Sequence, residues 1–320
     1  MKRKSPPSRA HRKRGPATPA APGAGRPARG GALRLAWVAG GVLIIVAAVA
    51  AYLLLSGTIS EEPWDPTSES LERPNVLLIS LDTTRPDRLA ACGGGPVPTP
   101  ALDRVLGDGF RFEEMITPAP NTLPAHASLM TALNPYAHGV RENVEHALPE
   151  EARTLAEQFH EGGYATAAFV AAFVLDRRFG LAQGFELYED RLWGPEPGLG
   201  PQTVELRGGL VAERAIRWIG EYAAERRSGE ETRPFFLFVH FFDAHAPYVP
   251  PPPHARIYAD QPYNGELAYQ DACLGRLLDA IEAHGEASRT LVWVISDHGE
   301  ALGEHGEPQH SIFLYDSTVR

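Results

Sequence analysis

Residues 75–82 read NVLLISLD, a mostly apolar run that ends in a single carboxylate, Asp82. A run of this length without alternating polar side chains predicts a strand covered on both faces, as strands are in parallel sheets. Similar runs occur at residues 165–170, 235–242 and 291–296, and helical patterns lie near 99–106, from 154 onward, at 210–226 and at 266–283. Because strands and helices alternate, the sequence predicts an α/β fold, with a mainly parallel sheet and helices on both faces.

Three helix starts are marked by threonines. Thr99 is predicted to cap a helix whose first turn contains Pro100. Thr154 is followed three residues later by Glu157, which is the pattern of a capping box. Thr122 or a neighbouring residue is predicted to cap a third helix that begins with Pro124.

Polar residues with metal-binding groups follow the predicted strands. Asp82 ends the first strand, His245 comes shortly after the third, and Asp297 and His298 follow the fourth. In parallel sheets the carboxyl ends of the strands share one edge, where ligands bind, so these side chains are expected to converge. Each aspartate taken singly is more simply explained as a cap or turn residue. Together they favour a divalent-metal site.

Thr122 opens the sequence TLPAHASLMT at residues 122–131. Considered alone, it is most simply explained as an N-cap. If a metal lies opposite, the metal charge and the helix dipole together lower the pKa of the hydroxyl, and the threonine becomes a nucleophile.

The N-terminal residues predict a membrane anchor. Residues 35–55 are uncharged and mostly Ala, Val, Leu and Ile, which is enough to cross a hydrocarbon core of about 30 Å and longer than the apolar part of a cleaved signal peptide. Residues 1–34 predict a disordered basic tail, and residues 56–73 a linker. Basic residues precede the apolar segment and acidic residues follow it, so we expect a single-pass protein with a cytoplasmic N-terminus and an extracytoplasmic domain.

The charge of the chain is distributed unevenly. The formal net charge is −10, yet residues 1–60 contain ten Lys or Arg and no Asp or Glu. The remainder is therefore strongly acidic, which argues against a nucleic-acid partner. The two cysteines, Cys92 and Cys273, lie far apart without metal or redox spacing, and packing as small hydrophobic residues is favoured over a disulfide.

Four segments, taken in order, resemble sulfatase-type members of the alkaline phosphatase superfamily. They are PNVLLISLDTTR at 74–85, TLPAHASLMT at 122–131, HFFDAHAPY at 240–248 and ISDHGEALGEHGEPQH at 295–310, with a smaller match, PYAHGV, at 135–140. The resemblance extends over residues 74–320 and implies a sulfatase-like catalytic domain.

The resemblance also implies a metal site. Asp82, Asp297 and His298 would hold a divalent metal, against which Thr122 is positioned as both ligand and nucleophile. The histidines favour zinc or manganese, with calcium as an alternative, because calcium prefers an all-oxygen shell.

Other histidines are assigned by the same resemblance. His245 and His310 would contact the anionic oxygens of the substrate, protonate the leaving group or hold a second metal, and His126 would support the nucleophile or the anion. Structural roles are expected for His138 and His240, because a histidine near a strand end is more often a core or turn residue than a ligand.

The sequence departs from true sulfatases at two positions. Sulfatases proper oxidise a Cys or Ser to formylglycine, whereas Thr122 stands here, and Thr83 replaces an acidic residue that often supplies another ligand. Threonine cannot give that aldehyde. Both departures favour phosphate over sulfate esters.

The expected function is a membrane-anchored, metal-dependent hydrolase that cleaves sulfate or phosphate esters outside the cytoplasm, with a glycan or lipid headgroup as the expected carrier of the ester. One alternative is a phosphoethanolamine- or phosphoglycerol-type transferase at the membrane surface. The other is a catalytically silent binding domain of the same fold.

The C-terminal residues 311–320 (SIFLYDSTVR) resemble the family's approach to a further strand and a smaller subdomain. The chain is therefore expected to be C-terminally incomplete.

Overall fold

The structure is a computed structural model that describes residues 73–107, 109–192 and 205–320. The predicted tail at 1–34, the predicted anchor at 35–55 and all but the last residue of the predicted linker at 56–73 lie outside the described residues. Among the described helices, none is both long and apolar enough to cross a membrane.

The described residues form one five-stranded sheet in the order β3-β2-β4-β1-β5, and every strand pair in it is parallel. The strands are β1 (Asn75–Leu81), β2 (Ala165–Phe169), β3 (Leu187–Glu189), β4 (Phe235–Phe241) and β5 (Thr290–Ser296). The predicted α/β fold with a parallel sheet is confirmed. The short strand β3 was not predicted, because three residues are too few to show a periodic pattern.

Helices and helical turns connect the strands. They are α1 (Pro100–Gly107), α2 (Thr122–Thr131), α3 (Pro135–His138), α4 (Leu155–Glu161), α5 (Gly208–Ser228), α6 (His254–Ile257), α7 (Pro262–Ala283) and α8 (Asp316–Val319). Helix α7 begins four residues before the predicted start. Its first turn, PYNG, contains Pro and Gly, and these weaken the helical pattern of the sequence.

Strand β1 lies inside the sheet, and all of its seven residues are buried. Leu77 and Ile79 belong to a core cluster that also contains residues of α5 and α7. Val76 and Leu78 belong to a second cluster that contains residues of α2 and α4. Because alternate residues of a strand face opposite sides, helices cover both faces of the sheet.

The N-terminus of α1 is capped from another helix. The backbone N–H groups of Ala101 and Leu102 donate to the carboxylate of Asp271 on α7, both at 3.0 Å. The hydroxyl of Thr99, which was predicted to cap this helix, instead accepts the N–H of Ala91 at 3.1 Å. A cap supplied by a residue 170 positions away cannot be read from local sequence.

The predictions for the other two helix starts differ in outcome. The capping box of Thr154 and Glu157 is present at α4. Helix α2 begins at Thr122 itself, two residues before the predicted start, and Leu123 N–H donates to Asn143 Oδ1 at 2.9 Å. Of the two predicted possibilities, the neighbouring residue Asn121 stands at the N-cap position, without a side-chain capping hydrogen bond, and the hydroxyl of Thr122 makes other contacts.

Candidate active site

Two aspartates lie at the same edge of the sheet, each directly after one of two neighbouring parallel strands. Leu81 of β1 is paired with Ser296 of β5, so Asp82 and Asp297 are the first residues beyond the two strands. His298 follows Asp297, and the N-terminus of α2 places Thr122 against them. The four residues predicted from the sequence to share a metal site thus lie together, and each is at most 4% exposed.

The side-chain atoms of this group are in direct contact. Thr122 Oγ1 lies 3.1 Å from Asp82 Oδ2 and 3.3 Å from His298 Nε2. His298 Nε2 lies 3.4 Å from Asp297 Oδ2. One ligand atom from each of Asp82, Asp297 and His298 lies within 4.8 Å of the others. That spacing allows them to surround one ion.

The donor atoms of the cluster fit a divalent cation. Asp82 Oδ1 and Asp297 Oδ2 are buried and have no hydrogen-bond partner among the described residues. Such atoms are costly to bury unless a cation or a donor compensates them. His298 Nδ1–H donates to the carbonyl of Gly299 at 3.0 Å, which leaves the Nε2 lone pair facing the carboxylates.

The electrostatics of the cluster also favour a cation. Burial and the neighbouring Asp82 carboxylate raise the pKa of Asp297 well above its usual value. Burial favours the neutral form of Asp82, but the hydrogen bond from His240 and the charges of nearby histidines outweigh it and lower the pKa of Asp82. Burial lowers the pKa of His298 to about 4, so this imidazole is neutral near pH 7. A neutral imidazole beside two adjacent carboxylates is a metal-binding combination.

Backbone strain occurs next to the cluster. Thr83 has a φ of 50°, in the left-handed region that β-branched residues rarely adopt. Its N–H donates to Asp297 Oδ1 at 3.3 Å, and its carbonyl accepts the hydroxyl of Tyr263 at 2.6 Å. The strained turn therefore lets the backbone after Asp82 reach across to the second aspartate.

His310 lies beside His298, and His245 lies beside His310. The His310 ring centroid is 4.5 Å from that of His298 and 5.0 Å from that of His245. His245 is half-buried, stacks on Phe242 and donates Nδ1–H to the carbonyl of Ala246 at 2.7 Å. The two predicted substrate-side histidines are thus close to each other and to the candidate metal ligands.

A fully buried carboxylate, which was not identified from the sequence, holds His310. Glu300 Oε1 accepts from His310 Nδ1 at 3.3 Å and from Ala301 N–H at 3.2 Å. Glu300 Oε2 accepts the hydroxyl of Tyr248 at 2.9 Å, and the Glu300 carbonyl accepts Arg85 Nη1 at 2.9 Å. With Nδ1 engaged, the Nε2 atom of His310 is the one free for chemistry.

His126 lies beneath Thr122. Its side chain is fully buried, and Nδ1 lies 2.7 Å from the carbonyl of Thr122 and 3.5 Å from Asp297 Oδ2. Burial lowers its pKa to about 3, so the ring is neutral. Of the two predicted roles, support of Thr122 fits this position. Contact with a substrate anion does not fit, because the ring is not exposed to solvent.

Two further histidines are buried in hydrogen-bonded positions. His138 Nδ1 accepts the N–H of Val140 at 3.1 Å, and its Nε2 lies 3.0 Å from Ser128 Oγ. These contacts are consistent with the structural role expected for His138. His240, expected to be structural, contacts the cluster directly, because its Nε2 lies 3.3 Å from Asp82 Oδ2. The sequence signal that could have identified His240 is a polar ring within an otherwise apolar buried strand, since such a ring needs a partner.

Most of the chain matches a known protein family. Residues 74–316 match the family model described as Sulfatase. An arylsulfatase of Clostridium perfringens is 22% identical over 76% of this chain and 69% of that protein. Across eight curated relatives, the match spans 50% to 69% of their own length.

Solved structures show the same fold. The protein yidJ of Bacteroides fragilis superposes with a TM-score of 0.66 at 21% identity, over 79% of this chain and 67% of that one. The phosphonate monoester hydrolase of Agrobacterium radiobacter superposes with a TM-score of 0.62 at 22% identity, over 77% and 66%.

Proposed function

Because this chain belongs to the sulfatase family, we propose that it is a metal-dependent ester hydrolase in which Thr122 is the nucleophile. The observation that carries the proposal is the position of Thr122 Oγ1, 3.1 Å from Asp82 Oδ2 and 3.3 Å from His298 Nε2 at the N-terminus of α2. A merely capping threonine would turn its hydroxyl towards the helix backbone. This hydroxyl points at candidate metal ligands instead.

The residues suited to hold the metal are Asp82, Asp297, His298 and Thr122. When bound, a divalent cation would lower the pKa of the Thr122 hydroxyl and neutralise charge on the ester oxygens. The mixture of carboxylate oxygens, imidazole nitrogen and hydroxyl suits zinc or manganese better than calcium.

The chain's own residues then account for the steps of the reaction. Thr122 ionises with loss of its proton to solvent, and the Oγ1 alkoxide attacks phosphorus. The bond from phosphorus to the departing alcohol breaks as the new Oγ1–phosphorus bond forms. His310 or His245, in its protonated form, would give a proton to the departing oxygen. Water then attacks the phosphothreonine, and the same histidine takes the proton of that water. The bond from Oγ1 to phosphorus breaks, which releases the phosphate product and restores the Thr122 alkoxide.

Phosphorus esters are the favoured substrates within this proposal. A threonine cannot become the aldehyde that sulfatases proper use, so direct attack by the hydroxyl is the available route. A phosphonate monoester hydrolase is among the proteins with this fold, which supports a phosphorus substrate.

The test is turnover of an aryl phosphate diester, a phosphate monoester, a phosphonate monoester and an aryl sulfate by the full-length protein, with zinc, manganese or calcium added. Thr122→Ala should reduce metal-dependent phosphoester turnover by on the order of 10³-fold or more, and Thr122→Ser should keep most of it. A phosphorylated peptide containing Thr122 should be trapped by acid quench and found by mass spectrometry.

Two results would contradict the mechanism. Sulfate turnover that survives Thr122→Ala would show that Thr122 is not the nucleophile. A protein that binds a divalent metal but turns over none of these esters would support a catalytically silent domain.

The location of this activity is also part of the proposal. Residues 35–55 would anchor the chain, with the catalytic domain outside the cytoplasm and within reach of anionic esters on glycans or lipid headgroups. Membrane fractionation with alkaline extraction, followed by protease digestion from each side, tests this. Release of the full-length chain into the soluble fraction would exclude an anchor.

A further inference from the structure

Three buried side chains form a layer behind the candidate metal ligands: Ser80, His126 and His240, each fully buried. Ser80 on β1 and His240 on β4 are register partners in the parallel sheet, and His126 comes from α2. The rings of His126 and His240 meet edge to face, with centroids 4.9 Å apart at 87°. This layer, which we call the rear layer, lies on the side of Asp82 and Thr122 that faces the protein interior.

The hydrogen bonds of His240 assign its proton. Nδ1 faces the backbone N–H of Ala171 at 3.4 Å, and because an N–H can only donate, Nδ1 must accept. In the neutral ring the proton is then on Nε2, which lies 3.3 Å from Asp82 Oδ2. His240 therefore donates to one oxygen of Asp82, while the other oxygen, Oδ1, has no hydrogen-bond partner among the described residues.

The hydrogen bonds of His126 assign its proton in the same way. Nδ1 lies 2.7 Å from the carbonyl of Thr122, which can only accept, so Nδ1 carries the proton. Nε2 then accepts from Ser80 Oγ at 2.9 Å. Together with Asp297, these two rings have the spacing of a second metal site. Their lone pairs are used elsewhere, however, and metal ligation requires a free lone pair.

We propose that His240 is a positioning residue for the metal site: its Nε2–H fixes the Asp82 carboxylate so that Oδ1 is directed to the cation, and His126 and Ser80 hold the ring in place. The inference rests on the proposed metal site at Asp82, Asp297 and His298. It predicts that His240 acts on metal affinity through hydrogen bonding and that neither rear-layer histidine is itself a ligand.

The test is calorimetric titration of the full-length protein with Mn²⁺ and with Zn²⁺. His240→Leu removes the donor and should weaken binding by about 10–100-fold. His240→Gln can place an amide N–H near the former Nε2 and should stay within about threefold of the original affinity. The matched control is His138→Leu, which removes another buried, doubly hydrogen-bonded histidine outside the site and should leave affinity unchanged.

Each outcome decides between specific statements. Equal affinity of the original protein and His240→Leu would overturn the positioning role. Loss of binding in both the Leu and the Gln variants would identify His240 as a ligand instead. No binding by the unsubstituted protein would contradict the proposed function itself, and the inference with it.

A second measurement does not depend on the folding of a variant. Long-range ¹H–¹⁵N correlation spectra of the unsubstituted protein distinguish the two neutral imidazole tautomers. His240 should carry its proton on Nε2, and His126 on Nδ1. A His240 ring protonated on Nδ1 alone would overturn the proposal, since it could not donate to Asp82.

Discussion

Asp82 and Asp297 use their two oxygens in the same way. In each carboxylate one oxygen accepts hydrogen bonds from the protein, whereas the other has no hydrogen-bond partner within the described part of the chain. The hydrogen bonds to the bonded oxygens restrict rotation of both side chains. The unbonded Oδ2 of Asp297 lies 3.4 Å from His298 Nε2, whereas Thr122 contacts the bonded Oδ2 of Asp82. At the scale of single residues, the candidate site contains two carboxylates, each held through one of its oxygens.

The contact between Glu300 and His310 leads to a prediction at the same scale. Glu300→Ala removes the acceptor of His310 Nδ1, so the ring loses its orientation towards the leaving group. We expect kcat to fall by about 10–100-fold. Metal affinity should change little, because the substitution removes none of the proposed metal ligands. Steady-state kinetics and calorimetry on the same variant provide the two measurements.

Tyr248→Phe serves as the comparison for Glu300→Ala. It removes only the donor to the opposite oxygen of Glu300, so its effect on kcat should be within about threefold. A Glu300→Ala variant with unchanged kcat would show that His310 needs no acceptor at Nδ1.

At the scale of helices and strands, two helices have their N-termini capped by carboxylates from distant parts of the chain. Helix α1 is capped by Asp271 of α7, and the first turn of α5 donates to Asp243, which follows β4. These side chains satisfy helix N–H groups that would otherwise be buried without partners. The helices are thus fixed to one another by their ends as well as by their apolar faces.

Removing the cap of α1 should destabilise the fold. Asp271→Ala leaves one buried and one partly buried N–H group without an acceptor, and we expect the free energy of unfolding to fall by about 2 kcal/mol. Urea denaturation measures the change. Asp279→Ala is the control, because Asp279 makes only an exposed ion pair with Arg104 between the same two helices and should change stability by about 0.5 kcal/mol or less. Equal effects of the two substitutions would contradict the capping role.

Glu266 on α7 makes stability depend on pH. Its side chain is 2% exposed, and burial, with the nearby Asp243, raises its pKa to about 8 from 4.5. Between these values the folded protein keeps a proton that the unfolded chain releases. The free energy of unfolding therefore falls as the pH rises through this window, and the contribution is complete below about 4.5 and lost above about 8.

Glu266→Gln should flatten this pH dependence between pH 5 and 8.5, measured by urea denaturation at several pH values. The variant lacks the ionisable group, so it should be the more stable protein at the alkaline end by a few kcal/mol. Glu282→Gln, at an exposed position of the same helix, should leave the profile unchanged. An unaltered slope in Glu266→Gln would mean that Glu266 ionises normally in the fold.

At the scale of the whole molecule, the candidate metal site joins the ends of strands that are far apart in sequence. Asp82 follows β1, Asp297 follows β5 more than two hundred residues later, and Thr122 belongs to a helix on one face of the sheet. An ion held there would contact three separate elements. Binding should therefore stabilise the folded state as a unit.

Metal should raise the stability of the unsubstituted protein by mass action. At a concentration of about 100 times Kd, the free energy of unfolding should increase by about 2.7 kcal/mol, seen as a melting temperature several degrees higher. A chelator should reverse the shift. Asp297→Asn should abolish it, since this substitution weakens one ligand without changing the size of the side chain. A melting temperature that does not change when zinc or manganese is added would contradict the proposed metal site.

The sequence by itself determined the class of fold and much of the site. Continuous apolar runs identified four of the five strands, because a strand buried on both faces has no polar side to show. The capping box at Thr154 was predicted from four consecutive residues. Asp82, Asp297 and His298 were expected to converge because parallel strands share one carboxyl edge, and the family resemblance implied that Thr122 lies against them. In the structure the four residues lie together.

Only the tertiary structure decided the contacts between elements. The cap on α1 from Asp271, the support of His310 by Glu300 and the contact of His240 with Asp82 each join residues by packing rather than by spacing along the chain. The physical reason is that local sequence sets backbone conformation and which face is buried, whereas hydrogen-bond partners depend on strand register and helix placement, which are set by the whole core at once.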